Sequence, residues 1–330
     1  CRTLVAPLLV LAIASASADI LTDVDGIAAV IEANYFDPAR AAEIADDLRA
    51  DARAGNFDRY PDRAELAAAL TQRLRKLDGH FGVRWGAQES RARRGGMRMA
   101  QSRQSYGFTR IERLPGNLAY IELAFVADID FDDASSPARR AADAALTLVR
   151  DADAAILDLR NNGGGAPSMV GYLVSAFVEP DADVYNTFHS REGTETERPA
   201  IAYSPAMLDV PLYVLTNQGT ASAAESIAFT LQSAQRATVV GERSAGAANP
   251  GQTFDSPQGY VVFVSTGSPR NPINGRNWEG GGVQPDVEVA SDAALTRARE
   301  TALRKILSGS IEGAAREDTR SALEALDAPD

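Results

Sequence analysis

Apolar residues recur with helical spacing through the first 77 residues of the chain. Ile27 and Ile31 follow this spacing before a stop at Tyr35-Phe36-Asp37-Pro38, and leucines three or four residues apart repeat it between 66 and 77. Such spacing places one apolar stripe on each helix. The pattern predicts helices from about 23 to that stop, over 41–53 and over 62–77. Together they form a small N-terminal helical bundle, which we assign to residues 19–85.

Beyond residue 105, short β-prone apolar runs alternate with amphipathic helical runs. Repeated strand–helix–strand units produce layered α/β folds with a mostly parallel sheet. We therefore predict an α/β core over 105–310 and a helical tail over 311–330. The predicted strands are 118–125, 154–159, 184–188, 211–215 and 237–241, with a hairpin at 253–264. The predicted helices are 137–150, 167–177, 222–234, 292–307 and 319–326.

Two stretches outside these elements have their own character. Residues 86–104 are rich in Arg, Gly and Ser without periodicity, which predicts a linker or lid loop. Residues 1–18 combine a basic start, an apolar run from 4 to 14 and an Ala-Ser-Ala end, which is typical of a secretory signal peptide. The apolar run is too short to span a membrane. We expect a periplasmic or secreted protein without stable membrane insertion.

The amino-acid composition disfavours several classes of function. A net charge of −12 disfavours binding to nucleic acid or to anionic membranes. The chain has one cysteine, Cys1, and two isolated histidines, so we predict no disulfide, no metal centre and no cofactor. Removal of the signal peptide takes away Cys1, which suits an oxidising compartment. Lysine occurs only at Lys76 and Lys305.

Ser222 stands where a predicted strand becomes a predicted helix. Such a corner exposes a hydroxyl above a parallel sheet, beside the free N–H groups and the positive dipole end of the helix. The surrounding residues are small, and Gly219 and Ala223 allow close approach of a substrate backbone. This geometry is typical of an acyl-transfer nucleophile. The structural alternative is that Ser222 is a plain N-cap.

Gly163-Gly164-Gly165 lies at a second strand-to-helix turn. Backbone N–H groups there, together with the N–H of Ala223, would form a two-donor oxyanion hole. A phosphate site or a simple tight turn is the alternative. No Gly-Lys-Ser/Thr follows and the glycine spacing is not Gly-x-Gly-x-x-Gly, so phosphate binding is disfavoured.

A serine nucleophile needs a base. Lys76 and Lys305 lie on predicted helices, which disfavours both. His189 ends a short strand beside a charged loop, whereas His80 lies in a loop flanked by glycines and is the better base. A single loop histidine is otherwise a surface or packing residue.

The base also needs an orienting carboxylate. Glu279 follows Trp278 and precedes three glycines, and it could hold the imidazole as a triad carboxylate does. Asp78 and Asp286 are rivals for this role. A loop salt bridge is the structural alternative for Glu279.

Taken together, these motifs resemble peptidase family S41, the tail-specific or C-terminal processing proteases. The resemblance covers roughly residues 20–300 and implies a crotonase- or ClpP-like α/β core, with Ser222 as nucleophile and an oxyanion hole at Gly164 and Ala223. The motifs are Asp78-Gly79-His80, Arg-Asn-Asn-Gly-Gly-Gly at 160–165, Thr-Ala-Ser-Ala-Ala-Glu at 220–225 and Trp-Glu-Gly-Gly-Gly-Val-Gln-Pro-Asp at 278–286.

The sequence departs from the family pattern in two places. Ala247 stands where members with a Ser–Lys dyad carry the lysine. The chain instead is similar to the branch with the interphotoreceptor retinoid-binding protein repeats and the tricorn core, in which a His and a Glu serve the serine. His80 and Glu279 match those positions. Residues 86–104 are also too few for a PDZ domain, so tail specificity is not implied.

The motifs favour a serine peptidase that acts on peptide or protein substrates through Ser222, His80 and Glu279. A different class of function, a non-catalytic binding module for a lipid or other apolar ligand, is the alternative, because the retinoid-binding relatives resemble this chain. A third alternative, chemistry on CoA thioesters, rests on the shared core fold alone. A secretory signal argues against it, since CoA is cytoplasmic.

Overall fold

The computed structural model describes residues 6–86 and 102–327. Residues 1–5 of the predicted signal peptide, 87–101 of the predicted linker or lid loop and 328–330 of the tail lie outside the described residues. The helices are α1 (Ala6–Asn34), α2 (Pro38–Arg53), α3 (Arg63–Leu74), α4 (Pro137–Arg150), α5 (Pro167–Ser175), α6 (Ala223–Ser233), α7 (Ala294–Ser308) and α8 (Gly313–Asp327). The strands are β1 (Gly82–Trp85), β2 (Phe108–Leu114), β3 (Leu118–Leu123), β4 (Ala154–Asp158), β5 (Thr187–Ser190), β6 (Thr194–Thr196), β7 (Leu212–Thr216), β8 (Ala237–Gly241), β9 (Gly251–Asp255), β10 (Tyr260–Ser265), β11 (Gly267–Arg270) and β12 (Val287–Glu288).

The chain divides into two compact units. The first contains residues up to 90 together with 189–194 and 249–268, and the second contains 91–188, 195–248 and 269–330. The domain boundaries predicted from the sequence stay predictions. Strands β11, β5 and β6 form a small sheet in that order.

The first unit packs helices α1–α3 with a sheet of order β1-β10-β9. Its helices begin where the sequence provides caps: Asp37 and Asp62 each accept two backbone N–H bonds at the starts of α2 and α3. On α3, Leu66, Leu70 and Leu74 are at most 1% exposed, so the predicted leucine stripe forms part of the core. Helix α1 continues through residues 18 and 19, the predicted cleavage position.

The second unit is built on a sheet of six strands, counted over the described residues, with the order β12-β8-β7-β4-β3-β2. All neighbouring pairs are parallel except β3 with β2. Every residue of β4 and β7 is buried. Parallel strands covered on both faces have this continuous apolar character. The prediction of an α/β fold with a mostly parallel sheet is confirmed.

Helices cover both faces of this sheet. One face packs in an apolar cluster with α4, α5 and α6, and the other packs in a second cluster with α7 and α8. Because β4 and β7 are parallel and in register, with Asp158 opposite Leu215, their carboxyl ends lie side by side. The loops that follow these two strands therefore meet at one edge of the sheet. None of the helices in the described ranges is long and apolar enough to cross a membrane.

Candidate active site

The loops that follow β4 and β7 are joined by hydrogen bonds. Asn217 Oδ1 accepts the N–H groups of Asn161 at 2.9 Å and of Gly219 at 3.0 Å. The Ala221 N–H donates to the Asn162 carbonyl at 2.9 Å. Thr220 Oγ1 donates to the carbonyl of residue 159 at 2.8 Å. The glycine-rich turn and the approach to Ser222 thus form one rigid corner.

Ser222 has an unusual backbone conformation at the start of α6. Its φ is 54° and its ψ is −124°, and its side chain is exposed. The N-cap residues Asp37 and Asp62 instead have extended conformations, with φ of −100° and −83°. An ordinary cap does not need a positive φ, and such a conformation in a non-glycine residue is strained. The plain N-cap interpretation therefore leaves the geometry of Ser222 unexplained.

A buried carboxylate, Glu225, anchors this corner. It is 0% exposed, and Oε2 accepts the N–H groups of Ser222 and Ala247, each at 2.8 Å. Oε1 accepts the Ser244 hydroxyl at 2.5 Å and the Gly246 N–H at 2.6 Å. Burial raises the pKa of Glu225, and these four hydrogen bonds oppose that shift. Glu225 thereby ties the start of α6 to the segment 244–247.

Gly164 lies directly against the nucleophile corner. A Cβ placed on Gly164 would lie 2.7 Å from Ser222 Cβ and 2.9 Å from the Ala223 N. Its φ of 98° also favours glycine. The structure thus places Gly164, Ser222 and Ala223 close together, and their catalytic roles stay predictions. The N–H of Gly164 donates to Asn162 Oδ1 at 2.9 Å, whereas the Ala223 N–H has no partner among the described residues.

Glu279 belongs to the same unit as Ser222. Its Oε2 accepts the Ala248 N–H at 2.8 Å, and the neighbouring Gly280 N–H donates to the Gly246 carbonyl at 2.8 Å. The segment 244–248 is therefore bonded to Glu225 at one end and to Glu279 at the other. Trp278, beside Glu279, is 2% exposed and packs against Phe229 of α6 with 5.0 Å between ring centroids.

His80 lies in the first unit, in the loop between α3 and β1. Its N–H donates to Asp78 Oδ1 at 2.9 Å, and its Nδ1 lies 3.2 Å from the same oxygen. The side chain of His80 is 18% exposed and that of Asp78 is 2% exposed. Because His80 and Ser222 belong to different units, their pairing remains a prediction of the sequence.

The remaining candidates for the base and for the orienting carboxylate have different contacts and exposure. Asp286 accepts the Val239 N–H at 2.7 Å and the Gln232 amide at 2.9 Å, so its carboxylate joins β8 to α6. His189 is an exposed residue of β5. Lys305 is exposed in the last turn of α7. Lys76, predicted on a helix, lies exposed beyond the end of α3 at Leu74.

Two groups that shape the corner were not predicted from the sequence. Glu225 follows Ser222 by three residues, and a Ser-x-x-Glu spacing is the signature of a capping box, which could have identified it. Asn217 was not predicted because its side chain bonds to Asn161, which lies 56 residues away in the chain. Only the parallel pairing of β4 and β7 brings these partners together.

The fold and the corner define an α/β protein with an exposed serine at a strand-to-helix turn. A family model described as peptidase family S41 matches residues 117–289, which is more than half of the chain. This chain therefore belongs to peptidase family S41. The matched region contains Gly164, Ser222 and Glu279, and it does not include His80.

Individual relatives agree with this family. The chain is 39% identical over 121 residues to a carboxyl-terminal-processing protease of Synechocystis sp., which covers 37% of this chain and 27% of the relative. It is 32% identical over 141 residues to that of Picosynechococcus sp., which covers 43% of this chain and 33% of the relative. The chain thus spans a third or less of the length of these two curated relatives.

A solved structure supports the fold. A candidate peptidase from Parabacteroides merdae superposes with a TM-score of 0.55 at 18% sequence identity, over 77% of this chain and 90% of that chain. At this level of identity, the similarity concerns the arrangement of helices and strands and not the chemistry.

Proposed function

We propose that this chain is a serine-type peptidase. Ser222 Oγ attacks the carbonyl carbon of a peptide bond while His80 takes its proton, and Glu279 stabilises the imidazolium that forms. His80 then gives the proton to the leaving amine, and water releases the acyl group in a second cycle. The observation that carries the proposal is the positive φ of 54° at the exposed Ser222, with Gly164 packed against it.

Backbone amides of the second unit would hold the oxyanion. The Ala223 N–H is at the first position of α6, where the helix itself offers no acceptor. Glu225 already occupies the Ser222 N–H, which leaves Ala223 as the donor of this corner. Gly164 is the second proposed donor, and an incoming oxyanion would share its N–H with Asn162. Each such donor is typically worth about 10²–10³ in rate.

Family membership supports the choice of substrate class. The curated relatives are carboxyl-terminal-processing proteases, and we propose peptide or protein substrates for this chain. We also propose a periplasmic or secreted location, which rests on the signal-like pattern of residues 1–18. The crotonase- or ClpP-like character of the core and the role of Glu279 belong to the same proposal.

The proposal is tested by peptide hydrolysis. The purified protein is incubated with a peptide library, and new termini are read by mass spectrometry for the parent and for Ser222→Ala. Ser233→Ala, at the far end of α6, is the matched control. We expect cleavage by the parent and the control, and none by Ser222→Ala. Equal cleavage by all three would contradict the proposal, and an inert parent that is stabilised by an apolar ligand would favour a binding module.

A further inference from the structure

We propose that Asp78 is a positioning residue for His80: its carboxylate holds the Nδ1–H of the imidazole, so that Nε2 is the basic nitrogen. This inference rests on the proposed function, in which His80 is the base for Ser222. In this proposal Asp78 fixes the tautomer of His80, and Glu279 stabilises the positive charge of the imidazolium.

The contacts between Asp78 and His80 form a two-point clamp. One oxygen, Oδ1, accepts the His80 backbone N–H at 2.9 Å and lies 3.2 Å from the ring Nδ1. The backbone bond fixes the main chain of the loop, and the ring contact fixes the rotation of the imidazole. With both fixed by one carboxylate oxygen, the imidazole has one preferred orientation relative to its own loop.

The chemistry of the carboxylate decides the tautomer. An ionised carboxylate is only an acceptor, so the nitrogen that contacts it must carry a proton. Burial acts to raise the pKa of Asp78, but hydrogen bonds from the His80 ring and from the His80 N–H lower it to about 2. Asp78 is therefore ionised throughout the physiological range. A neutral His80 accordingly carries its proton on Nδ1, and its lone pair is on Nε2.

The groups around Asp78 hold it in place. Tyr35, in the turn after α1, donates its hydroxyl to Oδ2 at 3.3 Å, and the Asn249 amide donates to the same oxygen at 3.3 Å. Tyr35 also stacks on Phe81 with 5.4 Å between ring centroids. The neighbouring cation, Arg75, donates to the Phe81 carbonyl at 3.1 Å. In the described part of the first unit, the clamp is thus held by the turn after α1 and by the segment before β9.

The test is a nitrogen-15 NMR titration of the two histidines, because the chain contains only His80 and His189. Long-range proton–nitrogen correlations identify the protonated nitrogen, and His189→Gln assigns the signals. We expect neutral His80 to carry its proton on Nδ1 in the parent. We expect Asp78→Asn to lower the pKa of His80 by about 1 pH unit or more, since it removes an adjacent opposite charge.

Matched variants separate positioning from general effects. Asp286→Asn removes a carboxylate that bonds to β8 and α6, and it should leave the His80 titration unchanged. Tyr35→Phe removes a hydrogen-bond partner of Asp78 and keeps its carboxylate, so it should retain the Nδ1–H tautomer. Glu279→Gln should also retain that tautomer, even where it lowers the pKa of His80.

Two results would overturn the inference. One is an Nε2–H tautomer of His80 in the parent, a measurement that needs no variant to fold. The other is a folded Asp78→Asn protein whose His80 titrates as in the parent. Neither readout depends on catalysis, so failure of this inference is distinct from an inert Ser222, which would contradict the proposed function.

Discussion

Ser222 combines exposure with backbone strain, and this combination is the most informative feature at the scale of single residues. A non-glycine residue in a sparsely populated φ/ψ region costs about 1–3 kcal/mol and persists only where its surroundings enforce it. Here the buried Glu225 accepts the Ser222 N–H, and Gly164 packs directly against Ser222. The chain thus retains a serine in a backbone conformation that the N-cap residues Asp37 and Asp62 do not adopt.

Ser222→Gly is expected to stabilise the protein. Glycine adopts a φ of 54° without steric cost, so relief of strain outweighs its extra loss of backbone entropy and raises the free energy of unfolding by about 1 kcal/mol. Urea denaturation measures this change. The control Asp62→Gly, at an ordinary N-cap, should destabilise slightly, and a loss of stability in Ser222→Gly would contradict the strain.

Glu225→Gln is expected to damage both stability and reactivity. The amide nitrogen of glutamine is a donor, but the partners of Glu225 are donors as well. Because buried donors are then left without acceptors, we expect the free energy of unfolding to fall by about 1–3 kcal/mol. Denaturation measures the stability, and labelling by an acyl-serine probe measures the reactivity. Glu65→Gln is the matched control, because Glu65 holds the equivalent third position of α3 but is exposed. Similar effects in both variants would argue against an anchoring role for Glu225.

At the scale of elements, the corner is an assembly of three loops. The turn after β4, the β7–α6 connection and the segment 244–248 are linked by backbone hydrogen bonds and by Glu225. Close packing between the first two loops requires the absence of a side chain at Gly164. The neighbouring Gly163 has open space around the position of a Cβ. A side chain therefore fits at position 163 and does not fit at position 164 without a shift of the neighbouring loop.

Gly164→Ala is expected to reduce acyl-serine probe labelling about 10²-fold, because the added Cβ displaces the Ser222 backbone by a fraction of an ångström or more. Gly163→Ala is the matched control and should label at nearly the rate of the parent. Circular dichroism verifies that both variants fold. Equal labelling of Gly164→Ala and the parent would show that the close approach of these loops has no catalytic role.

Elements with strong local patterns were predicted well. Helix α4 and strand β8 have the predicted limits, because their apolar periodicity is clear and proline or glycine marks an end. Strand β5 lies about three residues later than predicted. Strand β2 was not predicted, because it is an edge strand with mostly exposed, charged positions. Pairing with β3 determines the extended conformation of β2. The sequence of β2 itself does not reveal that pairing.

The candidate site divides in the same way. The positions of Ser222, Gly164 and Ala223 at strand-to-helix turns could be predicted, because local patterns reveal such turns. Their catalytic roles stay predictions. Asn217 could not be predicted, because its role depends on side-chain contacts between distant loops. Whether His80 meets Ser222 depends on the arrangement of the two units and stays a prediction.

At the scale of the whole molecule, a buried polar network joins distant segments of the second unit. Glu197, 6% exposed, accepts the Ser226 hydroxyl at 2.6 Å and the Asn186 amide at 3.0 Å. Asn271 in turn donates to Asn186 Oδ1 at 2.9 Å. Burial raises the pKa of Glu197 to about 7, against the opposing effect of these two hydrogen bonds. The stability of the molecule therefore responds to pH through this carboxyl.

The sign of this response follows from proton uptake. Between pH 4.5 and about 7 the folded protein holds a proton on Glu197 that the unfolded chain releases, so stability falls as pH rises through this window. The total effect is about 3 kcal/mol. Glu197→Gln should remove this part of the pH dependence in denaturation measured from pH 5 to 8. Glu195→Gln, exposed on β6, is the control, and identical slopes in all three proteins would contradict the assignment.

In the proposed function, Ser222 is an activated nucleophile served by His80. Its most direct test is labelling of the purified protein by a fluorophosphonate probe, with Ser222→Ala and His80→Ala alongside and the modified residue located by mass spectrometry. We expect one equivalent of label on Ser222 in the parent and none in either variant. A folded parent that takes up no label, or label that persists in Ser222→Ala, would contradict it.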